Sequence, residues 1–258
     1  MHYKCLLVAH KAFYWAEPRA HFYDEYMQDK LWEKWTDSVP LDEVKKLFDF
    51  IIHWDYHFQG DPKKFQKIYG EISATLKYLK NFKLEDANFD DDKLTEKIEE
   101  VFDKIATGCS PRYESTDTSK ILHTIIPDLF VMWDRKIRKG ILGDENRNWG
   151  AVYAIEFLPK MQEELREAIE ICMKEKKLDK QKAIRYIVGL CDNKTLPKLI
   201  DEYNYMIFRR LPDFKEYFER LKQKVEELRE RDKISEANYE ELLNELLFVK
   251  KLCLKKAN

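Results

Sequence analysis

From about residue 19 onward the apolar residues of this chain recur three and four positions apart, a spacing that gathers them on one face of an α-helix. The segment from Leu41 to Phe58 carries Val44, Leu47, Phe48, Ile51 and Ile52. The segment from Pro62 to about Phe82 carries Phe65, Ile68, Tyr69, Ile72, Leu76 and Leu79. The segment beyond Asp92, to about Ala106, carries Leu94, Ile98, Val101, Phe102 and Ile105. The one stretch that reads as a strand is Tyr3 to Ala9, and a lone strand has nothing to pair with. The chain is therefore expected to be all-α: about ten helices in an orthogonal helical domain, closed by a C-terminal antiparallel helical hairpin.

Punctuation supports this reading. Asp61 and Pro62 fit a cap followed by the first helical position. Ser38 is a candidate cap for the helix from Leu41, and Gly108 stands where a C-terminal glycine ends a helix. A long helix from Trp149 to about Lys176 contains Pro159, which predicts a kink or break. Further helices fit Lys180 to Leu190 and Leu196 to Arg210. The last two run from Asp213 to Arg231 and from Glu236 to Lys255. Phe214, Phe218, Leu221, Val225 and Leu228 form one heptad-like seam, and Tyr239, Leu242, Leu246, Val249 and Cys253 form the other. This divides the chain into a main domain, 1–210, and a hairpin, 211–258. The hairpin is expected to pack on the main domain or to form a homodimer seam through residues 213–255.

Composition narrows the function classes. Charged residues make up 36% of the chain and only 7 of its 258 residues are glycine, a balance that suits a heat-adapted, thermostable protein. The net charge of −2 excludes a molecule-wide basic field for nucleic acid, so any such surface must be local. Five cysteines, none within four residues of another, spell out no metal clip. Their odd number, with no signal peptide, implies a reducing, cytoplasmic setting. No window is apolar enough for a membrane span. His53 and His57 have the i, i+4 spacing of a zinc-protease pair, but Trp54 stands at the glutamate position and no third ligand is evident, so no metal is expected. No phosphate-cradling glycine loop or nucleophile elbow is present, and no cofactor is expected. Asp201 and Glu202 sit among apolar residues and need partners if buried; Arg209 or Arg210 can supply them.

Chemistry concentrates between Thr118 and Gly140. A helix beginning near Ser119, capped by Thr116, Asp117 or Thr118, places Lys120 in its first turn with His123 three residues on along the same face. The positive end of a helix dipole disfavours an ammonium there, and burial would disfavour it further; this is how an amine nucleophile is made. Pro127 ends that helix. Asp134 is suited to cap the next, and Arg135, Lys136, Arg138 and Lys139 give a cationic surface fit for phosphates. The alternative is plain structure: Asp134 a cap, Trp133 and Phe130 core, His123 a satisfied helix histidine and Lys120 solvated.

Ser119-Lys120-Ile121-Leu122 and Asp134-Arg135-Lys136-Ile137-Arg138 resemble the lysine-bearing and aspartate-bearing helix starts of the helix-hairpin-helix DNA glycosylases. The likeness covers about 25 of 258 residues. It implies DNA as partner, Lys120 as a Schiff-base amine and Asp134 as stabiliser of a sugar cation; His123, placed on the lysine's helix face by its spacing, is the third catalytic candidate. Where the family's hairpin is glycine-rich, this chain has Glu114-Ser-Thr-Asp-Thr-Ser119. The same stretches also resemble those of uncharacterised helical prokaryotic proteins, which implies no activity. Two functions are thus expected to compete: a nucleic-acid-binding protein of glycosylase or lyase type, and a non-catalytic helical interaction protein whose contact surface is the C-terminal hairpin.

Overall fold

The computed structural model describes residues 1–192, 194–231 and 233–257. Among them the secondary structure is helical throughout, in the order α1 (Tyr3–Ala16), α2 (Ala20–Gln28), α3 (Leu41–Trp54), α4 (Pro62–Leu79), α5 (Asp92–Gly108), α6 (Ser115–Ile125), α7 (Arg135–Leu142), α8 (Gly150–Val152), α9 (Leu158–Lys176), α10 (Lys180–Gly189), α11 (Leu196–Phe208), α12 (Leu211–Glu230) and α13 (Glu236–Leu254). With the three-residue α8 set aside, twelve helices of at least eight residues remain among the described residues, close to the ten expected.

The stretch that reads as a strand is α1. Its buried positions, Tyr3, Cys5, Leu6, Ala9, His10, Ala12, Phe13 and Ala16, cover one broad helical face, and His2 caps it by accepting the Lys4 N–H at 3.2 Å. A short apolar run does not separate buried helix from buried strand; length does, and this helix continues through Lys11 to Ala16. Asp61 caps α4 as expected, accepting from Lys63 N at 2.8 Å. The Leu41 helix instead starts straight from Pro40, with no side-chain cap. Pro159 breaks nothing. A π-helical turn, Tyr153–Phe157, stands between α8 and α9, and such a widened turn accommodates a proline's missing N–H. Gly108 ends α5 without leaving helical backbone; a Cβ there would meet Ile68 Cδ1 at 2.4 Å, so packing against α4 explains it. Gly143, at φ +78°, is the glycine that closes a helix in the left-handed conformation, after α7.

The chain resolves into two compact units, each assembled from separated stretches: Met1–Glu17, Leu165–Lys194 and Glu202–Asn258 in the first, Pro18–Glu164 and Thr195–Asp201 in the second. The hairpin expected as an appendage from residue 211 thus belongs to a unit that also holds α1.

In the first unit α1 packs on both α12 and α13. Cys5 and Cys253 form a disulfide across 248 residues of chain, and the Tyr203 hydroxyl donates to the Cys253 carbonyl at 3.0 Å. Cys109, Cys172 and Cys191 are buried free thiols. The odd cysteine count therefore conceals one pair, a bond that the expected reducing setting does not favour. His10 is buried between Glu202 (2.8 Å) and Asp192 (3.0 Å).

In the second unit α3, α4, α5 and α6 pack in succession, and α5 also contacts α8 and the π-helical turn. The centre is aromatic. Trp133 meets Phe102 edge-on at 5.8 Å, Tyr153 at 4.9 Å and Phe157 at 5.0 Å. Its indole N–H donates to Ser115 O and the Tyr153 hydroxyl to Val131 O, so both polar tips are satisfied inside the core. Among the described residues no helix is long and apolar enough to cross a membrane.

Candidate functional site

The Lys120 region lies in the second unit. α6 begins at Ser115, four residues before the expected start, so Lys120 falls in the second turn. The dipole argument for an activated amine is thereby corrected, since the helix-end field acts mainly within the first turn. Asp117 occupies that turn instead, where a carboxylate is favoured. Lys120 Nζ donates to Asp117 Oδ1 at 2.9 Å and to Asp55 Oδ2 at 3.0 Å. The lysine is neither solvated nor facing open space: its side chain is 9% exposed.

The surrounding carboxyls respond differently to one setting. Burial pushes Asp55 upward, but the charge and hydrogen bond of Lys120 and the His57 backbone N–H outweigh it and hold the carboxyl below its ordinary value. Asp117 is buried more deeply, and burial together with the nearby Asp55 charge raises it despite Lys120. Glu114 is raised as well, by burial and by Asp117 and Asp55. The arrangement is one lysine neutralising a tight group of acids.

The two helix starts named by the sequence are joined by hydrogen bonds. Ser119 Oγ accepts the Trp133 N–H at 3.1 Å and donates to Thr116 O at 2.7 Å. Asp134 caps α7, its Oδ1 accepting from Ile137 N at 2.9 Å. Arg138 departs from expectation. It is buried, its guanidinium lies 5.0 Å from the centre of the Trp133 ring, and it donates to Ser115 Oγ and to the Glu145 carbonyl. It therefore holds α7 against α6 and is not part of a phosphate-facing surface. Arg135, Lys136 and Lys139 are exposed, with Arg135 paired to Glu145.

His123 is fully buried. Its Nδ1–H donates to Phe130 O at 2.6 Å and its Nε2 accepts from the Tyr23 hydroxyl at 2.8 Å. Burial pushes the ring down to about 3, so it stays neutral. Both nitrogens are used inside the core, which corrects its placement beside a reacting amine. The same core holds a residue that sequence reasoning passed over: Lys198, fully buried, donates to Asp201 at 3.0 Å and lies 4.8 Å from the Tyr23 ring centre and 5.4 Å from that of Trp54. The i, i+3 spacing of Lys198 and Asp201 was the available signal. Lys198 thus partners Asp201 and His10 partners Glu202, while Arg210 bonds Asp213. His57 lies beyond the end of α3 at Trp54, so the i, i+4 pairing with His53 on one helix does not arise. Among the described residues no group of three or more metal-ligating side chains is placed to hold an ion.

The open site lies elsewhere, in the first unit. The two heptad-like seams of α12 and α13 close at one end only. Phe214, Phe218, Val249 and Cys253 are buried there. Further along, Leu221, Val225, Leu228 and Leu246 are partly exposed and Leu242 is 39% exposed. With Leu7 and Val8 of α1 they line a groove of about 480 Å³. Its polar lining is sparse. Glu245 is held by Lys4 at 2.8 Å, while Lys176, over the Tyr186 ring, and Lys224 have no carboxylate partner among the described residues.

Comparison of the chain with family models, with curated proteins and with solved structures found no match.

Proposed function

We propose that this chain is a non-catalytic helical binding protein and that the groove between α1, α12 and α13 is its binding surface. The observation that carries this is the half-open seam: five apolar side chains in heptad register, Leu221, Val225, Leu228, Leu242 and Leu246, line a groove of about 480 Å³ rather than closing on one another. Ligand sites are concave and mostly apolar, with a few placed polar groups and volumes of about 300–1,000 Å³. The test is titration with the uncharged fluorophore N-phenyl-1-naphthylamine. Saturable enhancement at one probe per chain, lost in Val225→Trp with an unchanged thermal melt, is the expected result. Absence of saturable binding to the wild-type chain overturns the reading.

A second reading, a DNA-binding glycosylase or lyase using Lys120 and Asp134, draws on the joined starts of α6 and α7 and on the exposed Arg135, Lys136 and Lys139. Against it stands the direction of Lys120 Nζ, whose hydrogens go to two carboxylates; attack on a sugar carbon requires a free lone pair. A homodimer through residues 213–255 is a competing use of the same hairpin, and sedimentation distinguishes it.

A further inference from the structure

Resting on the binding-protein reading, we infer that the groove takes a free single-chain carboxylate, a fatty acid, with its hydrocarbon chain along α12 and α13 and its head group received by Lys176 and Lys224. The walls suit methylenes: Leu7, Val8, Leu221, Val225, Leu228 and Leu246 present only hydrocarbon. From Leu221 to Leu228 the wall covers two turns of α12, about 10 Å at 1.5 Å per residue.

Charge selects among apolar occupants. Three lysines and one glutamate line the groove. Lys4 already binds Glu245, so the lone acid is neutralised within the protein. Lys176 and Lys224 remain, each without a carboxylate partner among the described residues. An apolar slot with two uncompensated cations matches a hydrocarbon carrying one anion, because a charge-assisted hydrogen bond to carboxylate is stronger than one to a neutral acceptor.

The same facts disfavour a second copy of the chain in this place. A second copy docked by two-fold symmetry would bring a second Lys176 and a second Lys224 into one apolar interface, since such contacts apply the same patch twice. Like charges brought together there oppose association.

The experiment is calorimetric titration of the full chain with dodecanoate and, separately, with 1-dodecanol, alongside sedimentation velocity. The variants are Lys176→Gln/Lys224→Gln and Val225→Trp, each checked by thermal melting. Expected are a monomer, one dodecanoate per chain, affinity about tenfold weaker in the double lysine variant, unchanged dodecanol affinity in that variant, and loss of both ligands in Val225→Trp. If dodecanoate and dodecanol bind alike and the lysine substitutions change neither, the carboxylate inference is overturned while the groove keeps its binding role. If neither ligand nor N-phenyl-1-naphthylamine binds, both readings fall. A wild-type dimer that Val225→Trp dissociates shows the groove covered by a second copy and overturns the fatty-acid inference.

Discussion

The α6–α7 segment and the far half of the α12–α13 hairpin reverse what their sequences advertise. The first is rich in residues that perform chemistry, and apart from the exposed Arg135, Lys136 and Lys139 they are occupied within the fold: Lys120 by Asp55 and Asp117, His123 by Tyr23 and Phe130, Arg138 by Trp133 and Ser115, Asp134 by the first turn of α7. The second is ordinary amphipathic helix, and it is where apolar surface stays open. A reactive residue type marks a site only when some of its valence faces outward. Buried polar groups need partners, and a protein that buries several builds them into a network.

The largest expected effect tests the closed side of this contrast. Lys120→Ala leaves Asp55 and Asp117 facing one another without their cation, and breaking such a buried pair costs about 3–5 kcal/mol. Urea denaturation measures it. A loss under about 1 kcal/mol would mean that the lysine does not hold the segment and is available for other work.

The hairpin offers a gradient along one helix pair. Phe218 is 1% exposed and Phe218→Ala should cost about 3 kcal/mol or more. Leu242 is 39% exposed, and Leu242→Ala should cost only about 1 kcal/mol, because its side chain is incompletely covered and its loss leaves no closed cavity. Equal costs at the two positions would mean that the seam is closed in solution and the groove absent.

His123 gives the contrast a pH signature. Its ring is pushed from 6.5 down to about 3, so the unfolded chain binds a proton in that window that the folded chain refuses. Stability from this group is full above about pH 6.5 and is lost as pH falls toward 3. Asp117, raised by burial, works the other way, since the folded chain holds its proton to higher pH than the unfolded one. The quantity to measure is therefore the difference between wild type and His123→Gln. Between about pH 7 and about pH 4.5 the wild type should lose about 2–3 kcal/mol more than the variant. Parallel pH profiles would show that the ring titrates freely.

The smallest expected effect is none. Borohydride with an abasic-site duplex should give no covalent adduct, because Lys120 Nζ is engaged by two carboxylates. A trapped adduct abolished by Lys120→Gln would restore the lyase reading and dissolve the contrast between the two regions.

Much of the fold was legible because helical spacing is a local property. The stripes of α3, α4 and α5 and the cap at Asp61 follow from neighbours within a few residues. What was not legible depends on distant partners. The start of α6 moved to Ser115 where Trp133 and Arg138, far along the chain, bond its first residues. The partner of Lys120 is Asp55, 65 residues away, as well as the nearby Asp117. A heptad pattern names the seam residues of α12 and α13 but not how far along the seam closes. Here closure stops after Phe218, where Leu221 and Val225 open into the groove.

The disulfide between Cys5 and Cys253 has a topological consequence. It turns everything from residue 5 to residue 253 into a covalently closed ring. A single backbone cut anywhere in that ring opens it but yields one molecule, whose mass falls into two fragments only after reduction. Because the two cysteines already join the beginning and end of the ring, a short peptide linker at that junction with new termini in an exposed loop would give a circular permutant tethered where the native fold is tethered. Unfolding such a ring releases a loop rather than a free strand, so its unfolded ensemble is smaller than that of the reduced chain and refolding starts from ends already held together.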